Sequence, residues 1–252
     1  MRRLHFLYHE LRPRGSDYSY IVDTENFVKQ MDLFVQLRAA GRSSLWPEVT
    51  FDDGHISNYD YALPILQSRG VTARFFITVG WTGKKAGYMG WPELRSLHES
   101  GHAIGAHSWS HALLTHCTQK DLYKELSGAR LTLEDNLGTQ VTAMSLPGGR
   151  FNRRVLAACV DAGYKQIYTS EPKAEEDPLG LMVGRLNVLG DMTLEWIRSV
   201  LQHESDELAS LERRYRINAA AKRILGDWLY EKFWAILNRK EPDGDDAGTS
   251  VE

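Results

Sequence analysis

The chain has 252 residues, of which 42% are hydrophobic and 25% charged, and its formal net charge is -3 at pH 7. This length supports a buried core without disulfides, and the overall balance of interspersed charges does not indicate a polyanion-binding protein, so nucleic acid is not an expected partner. The sequence shows neither the apolar region of a signal peptide nor a run of about 18 apolar residues, which predicts a cytoplasmic protein.

Strand-like and helix-like spacings of apolar residues alternate along most of the chain. Strands are predicted at 4–8, 48–51, 73–79, 103–105, 141–146, 166–168 and 182–188, and helices at 24–40, 58–69, 118–136, 153–162 and 193–201, with a further helix starting at Trp91. Units of about thirty residues with this order favour an α/β fold with a mostly parallel sheet, either open or closed into an irregular barrel. Sites in such folds follow the carboxyl ends of the strands.

Two adjacent carboxylates end the second predicted strand, in the run Val49-Thr50-Phe51-Asp52-Asp53-Gly54. Neighbouring like charges repel each other and are not readily buried without a compensating positive charge, which a metal ion would supply. His107 and His111 are four residues apart, a spacing that would place both imidazoles on one face of a helical turn. One aspartate and two histidines would form a three-ligand site with room for water.

Other polar and glycine-rich segments were weighed for the same site. The turn Pro147-Gly148-Gly149 follows a predicted strand, so its backbone N–H groups are candidates to point into the site. His9 is interpreted as a solvated or core-edge histidine outside the site. Trp81 and Tyr88, in the glycine-rich segment 80–90, are interpreted as packing anchors in preference to a sugar-binding rim.

The C-terminal part of the sequence has a different pattern. Residues 1–204 are predicted to form one catalytic domain, and residues 205–240 an amphipathic helical appendage that is basic on one face. The appendage would pack on the domain or on a partner protein, or lie on a membrane surface. Residues 241–252 are acidic and glycine-rich and are predicted to be disordered. The oligomeric state is left open.

Together, these motifs resemble the polysaccharide deacetylases of carbohydrate esterase family 4, over roughly residues 4–188. The T-F-D-D-G motif of that family matches residues 50–54, its H-[ST]-x-x-H motif matches 107–111, and its proline-glycine motif is similar to 146–149. The resemblance implies a distorted (β/α) barrel and one divalent metal ion, usually zinc. It further implies Asp52 as general base and Asp53, His107 and His111 as metal ligands, with the segment 147–149 contacting substrate or oxyanion.

The sequence departs from the family pattern at two positions. Ser145 stands where many relatives have an arginine that orients the base, and the late leucine-histidine motif that supplies a general acid has no match. Arg185 or Arg150 is a candidate for the orienting role. The Pro-Gly-Gly form of the third motif resembles a subset linked to exopolysaccharide synthesis.

The expected activity is metal-dependent hydrolysis of acetyl groups from N-acetylhexosamine units of a polysaccharide or glycan precursor. Three alternatives remain: a non-catalytic glycan-binding relative, a scaffold in exopolysaccharide synthesis, and a small-amide hydrolase on the same fold. The missing acid and arginine favour the non-catalytic alternative. The retained Asp52 and the complete ligand set argue against it.

Overall fold

The computed structural model describes residues 2–14, 16–41, 43–203 and 206–225. The strands are β1 (Arg2–Tyr8), β2 (Glu10–Arg12), β3 (Ile21–Asp23), β4 (Trp46–Phe51), β5 (Ala73–Ile77), β6 (Ala103–Ala106), β7 (Ala143–Ser145), β8 (Gln166–Tyr168), β9 (Glu175–Glu176), β10 (Met182–Val183) and β11 (Arg185–Asn187). The α-helices are α1 (Thr24–Ala40), α2 (Leu63–Ser68), α3 (Trp91–Glu99), α4 (Gln119–Tyr123), α5 (Ala129–Leu137), α6 (Arg153–Asp161), α7 (Leu194–His203) and α8 (Asp206–Leu225). Two π-helical segments, Asn58–Ala62 and Lys124–Gly128, precede α2 and α5.

The main sheet contains nine strands in the order β10-β8-β7-β6-β5-β4-β1-β11, with β9 paired to β1. All of its pairings are parallel except that of β9. One short segment, 182–187, supplies both ends of this order: Met182 and Val183 pair with β8, and Arg185 to Asn187 pair with β1. The sheet therefore closes on itself, and the predicted distorted (β/α) barrel is confirmed. The predicted single strand 182–188 is in fact two strands separated by Gly184, because each half pairs with a different neighbour.

Helices cover the outside of the barrel with the faces that the sequence spacing predicts. In α1, Phe27, Met31 and Phe34 are fully buried against the sheet. These positions recur every three or four residues, so they share one face of the helix. The helix ends at Gly41, whose φ of 61° is the left-handed conformation that glycine adopts without strain.

The interior of the barrel is partly polar. Arg185 has no exposed side-chain surface, and its guanidinium carbon lies 5.3 Å from the centre of the Phe76 ring and 5.8 Å from that of Tyr168. Burial, and then the positive charge of Arg185, lowers the pKa of His5 to about 3, so His5 is neutral in this interior. A buried arginine in such surroundings needs an anion, and the candidate site provides one.

The C-terminal helix α8 contacts the barrel domain. Leu208 is 7% exposed within the main core, and Arg216 binds Glu171 at 3.0 Å. The rest of the predicted appendage, 226–240, and the tail 241–252 lie outside the described residues. The proposed division at residue 204 stays a prediction. Among the helices described here, none combines the length and the apolar character needed to cross a membrane. The cytoplasmic location also stays a prediction.

Candidate active site

The carboxyl ends of several barrel strands bring the predicted residues together at one end of the barrel. Asp52 and Asp53 follow β4, His107 follows β6, and Ser145 is the last residue of β7. Arg185 begins β11, which only β1 separates from β4 in the sheet, and its side chain reaches the same place. Parallel strands end at one edge, so residues that are far apart in sequence meet there.

Asp53, His107 and His111 form a cluster that could hold a metal ion. One ligand atom from each lies within 4.8 Å of the others. Nε2 of His107 is 3.3 Å from Oδ1 of Asp53, and Nε2 of His111 is 3.4 Å from the same oxygen. A carboxylate and two imidazoles are typical ligands of a zinc site that keeps a position open for water.

Hydrogen bonding around the cluster is compatible with a bound cation. Nδ1 of His107 lies 2.9 Å from the carbonyl oxygen of Ser145. Because a carbonyl only accepts, Nδ1 carries a proton and donates it, and in the neutral imidazole the Nε2 lone pair is then directed at Asp53. Oδ1 of Asp53 is buried and has no hydrogen-bond partner among the described residues. Two acceptors therefore face each other, an arrangement that a divalent ion between them would stabilise.

The loop 107–111 differs from the sequence-based expectation. The two histidines do not share a face of a helical turn, since the segment is irregular and both Ser108 and His111 have positive φ, at 62° and 63°. The carboxylate of Glu125 accepts hydrogen bonds from the backbone N–H groups of Trp109 and Ser110, at 3.0 and 2.9 Å. It also accepts one from the Ser110 hydroxyl at 2.7 Å. A tertiary contact, rather than helical spacing, brings the imidazoles together.

Glu125 is therefore a positioning residue that the sequence reasoning missed. It is 6% exposed and belongs to the π-helical segment Lys124–Gly128. Such segments insert an extra residue into a helix and often occur at functional sites. The sequence signal was weak, because a glutamate in a predicted helix normally lies on the solvated face.

Asp52 is held by Arg185 in a bidentate ion pair. The guanidinium donates to Oδ1 at 2.7 Å and to Oδ2 at 2.8 Å, and both side chains are almost completely buried. The hydroxyl of Ser145 donates to Oδ2 at 2.8 Å and accepts from Arg185 at 2.7 Å. Burial raises the pKa of Asp52, but the charge of Arg185 and the other neighbouring groups outweigh it, so the pKa lies below its ordinary value. Of the two candidate arginines, Arg185 makes the orienting contact.

The two aspartates thus have different surroundings. Asp52 turns toward Arg185, whereas Asp53 turns toward the imidazoles. The backbone is not extended at Asp53, which has a φ of 71°. The left-handed turn at Asp53 helps to redirect its side chain.

The Pro147–Gly149 turn adjoins the site, as the sequence indicates, but its donors are partly used. The N–H of Gly149 donates to the carbonyl of Leu146 at 2.9 Å within the turn. Gly148 is exposed and has a φ of 62°. Of the two glycine donors, Gly148 is therefore the better candidate for an oxyanion contact.

His9 is closer to the site than the sequence reasoning assumed. Its ring packs edge-on to Tyr20 at 5.1 Å, and its Nδ1 is buried without a hydrogen-bond partner among the described residues. Burial lowers the pKa of His9, while the charges of Asp53 and Asp52 act in the opposite direction. The interpretation of His9 as a residue outside the site stays a prediction, and its unpartnered Nδ1 makes His9 a further candidate.

The chain is similar in sequence to known polysaccharide deacetylases. The family model described as polysaccharide deacetylase matches residues 47–167. A chitin deacetylase of Pestalotiopsis sp is 28% identical over 137 residues, 53% of this chain and 45% of that protein. The peptidoglycan-N-acetylglucosamine deacetylase PgdA of Listeria monocytogenes is 32% identical over 108 residues, 42% of this chain and 22% of that protein. The chain thus spans less than half the length of these curated relatives.

Solved structures show the same fold. The Streptococcus pyogenes deacetylase PplD, determined in complex with acetate, matches with a TM-score of 0.71 and 20% identity, covering 80% of this chain and 98% of that one. The Bacillus cereus polysaccharide deacetylase BC0361 matches with a TM-score of 0.69 and 22% identity, covering 79% of this chain and 68% of that one. At these identities the similarity supports the barrel fold.

Proposed function

This chain belongs, through residues 47–167, to the polysaccharide deacetylase family, and from that membership we propose that it hydrolyses acetyl groups from N-acetylhexosamine units of a glycan. The observation that carries the proposal is the pairing of Asp52 with Arg185 beside the cluster of Asp53, His107 and His111. A base and an adjacent metal-ligand set are what hydrolysis of an unactivated amide needs. The glycan substrates named for the relatives support an N-acetylated sugar.

Asp53, His107 and His111 would hold one divalent ion, for which zinc suits one carboxylate and two imidazoles. A bound divalent ion supplies a Lewis acid and lowers the pKa of a coordinated water from about 15.7 to about 7. The hydrogen bond from His107 to the Ser145 carbonyl fixes the tautomer that leaves Nε2 free to coordinate.

Asp52 is the proposed general base. Its carboxylate accepts a proton from the attacking water while the water oxygen forms a bond to the acetyl carbonyl carbon. Arg185 keeps Asp52 ionised and fixes the direction of its oxygens. The negative oxygen that develops on the carbonyl carbon would accept a hydrogen bond from the N–H of Gly148.

His9 is the proposed general acid. Collapse of the tetrahedral carbon breaks the C–N bond, and the leaving nitrogen needs a proton to depart as an amine. Burial outweighs the opposing charges of Asp53 and Asp52, so the pKa of His9 lies below its ordinary value, and His9 would first have to take up a proton to act as the donor. The products are acetate and the free amino sugar.

The experiment is an acetate-release assay across N- and O-acetylated oligosaccharides, with elemental analysis of the same protein sample. We expect about one divalent ion per chain and acetate release from N-acetylated oligosaccharides. A protein that binds these glycans but releases no acetate, even after loading with zinc, cobalt or nickel, would support the non-catalytic alternative. Turnover confined to small amides would support the small-amide hydrolase.

The role of His9 has a separate test. An aryl acetate has a leaving group that needs no protonation, so His9→Gln should keep most of its activity toward that ester. The same variant should lose about 10²-fold or more on the N-acetylated sugar. Equal losses on both substrates would exclude His9 as the acid.

A further inference from the structure

An aromatic wall stands on one side of the candidate metal cluster. The Trp81 ring stacks on the ring of His111, with centroids 5.4 Å apart and an interplanar angle of 28°. Tyr88 packs edge-on to Trp81 at 4.6 Å. The indole of Trp81 therefore links a proposed metal ligand to the segment 80–90. These aromatics are packing anchors, as the sequence analysis interpreted them, but what they anchor is the rim of the site.

Lys85 lies over this wall, and Lys84 and Lys124 lie over the ring of Trp109 beside it. The ammonium of Lys85 lies 3.6 Å from the Trp81 ring centre and 4.4 Å from that of Tyr88. The ammonium groups of Lys84 and Lys124 lie 5.9 and 5.5 Å from the ring centre of Trp109. All three lysine side chains are exposed. Aromatic faces attract these cations and hold them at the rim.

Among the described residues, the rim lysines are not paired with carboxylates, whereas some other lysines of the chain are. Lys29 is paired with Glu25 at 2.7 Å, and Lys173 with Glu175 at 3.3 Å. Within the described part of the chain, no carboxylate forms a salt bridge with Lys84, Lys85 or Lys124. Positive charge is thus concentrated beside the proposed catalytic residues, with Asp121 near enough to Lys124 to interact with it electrostatically.

The backbone under the rim is closely fitted. The N–H of Gly80 donates to the carbonyl of Trp109 at 2.7 Å, and the N–H of Val79 donates to that of Ser108 at 3.2 Å. A Cβ at position 80 would lie 2.6 Å from the Trp109 carbonyl oxygen, so only glycine fits there. The segment that carries Lys84 and Lys85 is therefore hydrogen-bonded to the loop 107–111, which carries Trp109 and both histidines of the metal cluster.

We propose that this lysine rim binds an anionic group, a carboxylate or a phosphate, carried by the glycan next to the acetylated sugar. The inference rests on the proposed deacetylase function and narrows its substrate class. The Lys85 ammonium lies over the Trp81 indole, and that indole stacks on His111. A sugar whose acetyl group reaches the metal cluster would therefore bring an anionic substituent on a neighbouring sugar to the lysine rim. The rim would also attract anionic glycans from solution.

The test compares matched substrates. Chitotetraose would be assayed beside chitotetraose carrying a single 6-phosphate or a single 6-carboxylate, and kcat/KM would be measured for each at ionic strengths of about 0.01 M and about 0.15 M. The variant is Lys84→Gln/Lys85→Gln. The control is Lys165→Gln, an exposed lysine just before β8, at the opposite end of the strand from the site.

We expect the wild-type protein to prefer the charged substrates, more strongly at the lower ionic strength. The double variant should lose about tenfold of that preference, and Lys165→Gln should retain it. A stronger effect for phosphate than for carboxylate, or the reverse, identifies the anion. Equal kcat/KM for neutral and charged substrates in the wild type, or equal losses in variant and control, would overturn the inference and leave the deacetylase function intact. Absence of turnover on every substrate would be a failure of the proposed function. Calorimetric titration of Asp52→Asn with the same oligosaccharides would then test the inference by itself. Equal affinity for charged and neutral oligosaccharides would refute it.

Discussion

Replacing Arg185 with methionine should separate the base from its orienting partner while filling a similar volume. Both side chains of the Arg185–Asp52 pair are almost fully buried, and two hydrogen bonds of 2.7 and 2.8 Å join them. Removing one partner of such a pair leaves an uncompensated buried charge, which typically costs about 3 to 5 kcal/mol. We therefore expect the free energy of unfolding to fall by about that amount at neutral pH.

The same substitution should change the pH dependence of activity. The pKa of Asp52 is depressed in the folded protein, so the pair stabilises the fold above the unfolded pKa, and that contribution is lost as the pH falls through the folded pKa. Without Arg185 the pKa of Asp52 rises. The acid limb of kcat/KM should then move to higher pH, with a loss of up to the 10²–10⁴-fold, roughly, that a general base contributes.

The assay is a pH profile of kcat/KM for acetate release, together with denaturant unfolding at two pH values. Arg150→Ala is the matched control, since it removes the other candidate arginine and should leave the acid limb in place. Arg185→Lys should give an intermediate result, because an ammonium cannot make the bidentate contact. Wild-type activity and an unmoved acid limb in Arg185→Met would refute the orienting role.

Three further predictions concern the metal cluster and the C-terminal helix. Asp53→Ala should lose the metal ion and all activity, whereas Asp52→Asn should keep the ion and lose about 10²–10⁴-fold in rate. Elemental analysis and acetate release measure the two effects. The opposite pattern would reverse the two roles. Glu125→Gln replaces an acceptor of three hydrogen bonds by an amide, so the metal affinity should fall by about tenfold to a hundredfold. Unchanged affinity in a metal titration would show that the loop 107–111 holds its shape without the carboxylate of Glu125. Deletion of residues 206–252 should leave cooperative thermal unfolding but lower the solubility, because the apolar surface that Leu208 covers becomes exposed. Loss of the cooperative transition would show that α8 is part of the core.

The barrel could be predicted largely because its elements are local and periodic. Strand β5 is an apolar and aromatic run, and α1 repeats its apolar residues every three or four positions, so each pattern carries its own evidence. The split at Gly184 could not be predicted in this way. It depends on which neighbour each half of the segment 182–187 pairs with, and no local pattern encodes that.

Within the site, the residue types were predictable and their positioning was not. The motifs identified Asp53, His107 and His111, which the structure brings together. The loop that carries the histidines depends on Glu125, a buried side chain from a distant π-helical segment. Likewise, Ser145 suggested a missing arginine, but the choice of Arg185 over Arg150 required the tertiary structure, in which β1 pairs with both β4 and β11 and so brings Arg185 close to Asp52.

Closure of the barrel by the segment 182–187 makes the proposed site depend on a part of the chain that is synthesised after all of its other members. A nascent chain that has emerged only as far as residue 183 contains every proposed metal ligand and the proposed base Asp52, yet it lacks the guanidinium that pairs with Asp52 and orients it. The strand that seals the barrel is also the one that delivers Arg185. A fragment limited to residues 47–167 would therefore retain the family motifs without a working base, and hydrolytic activity would appear only after the last strand has taken its place.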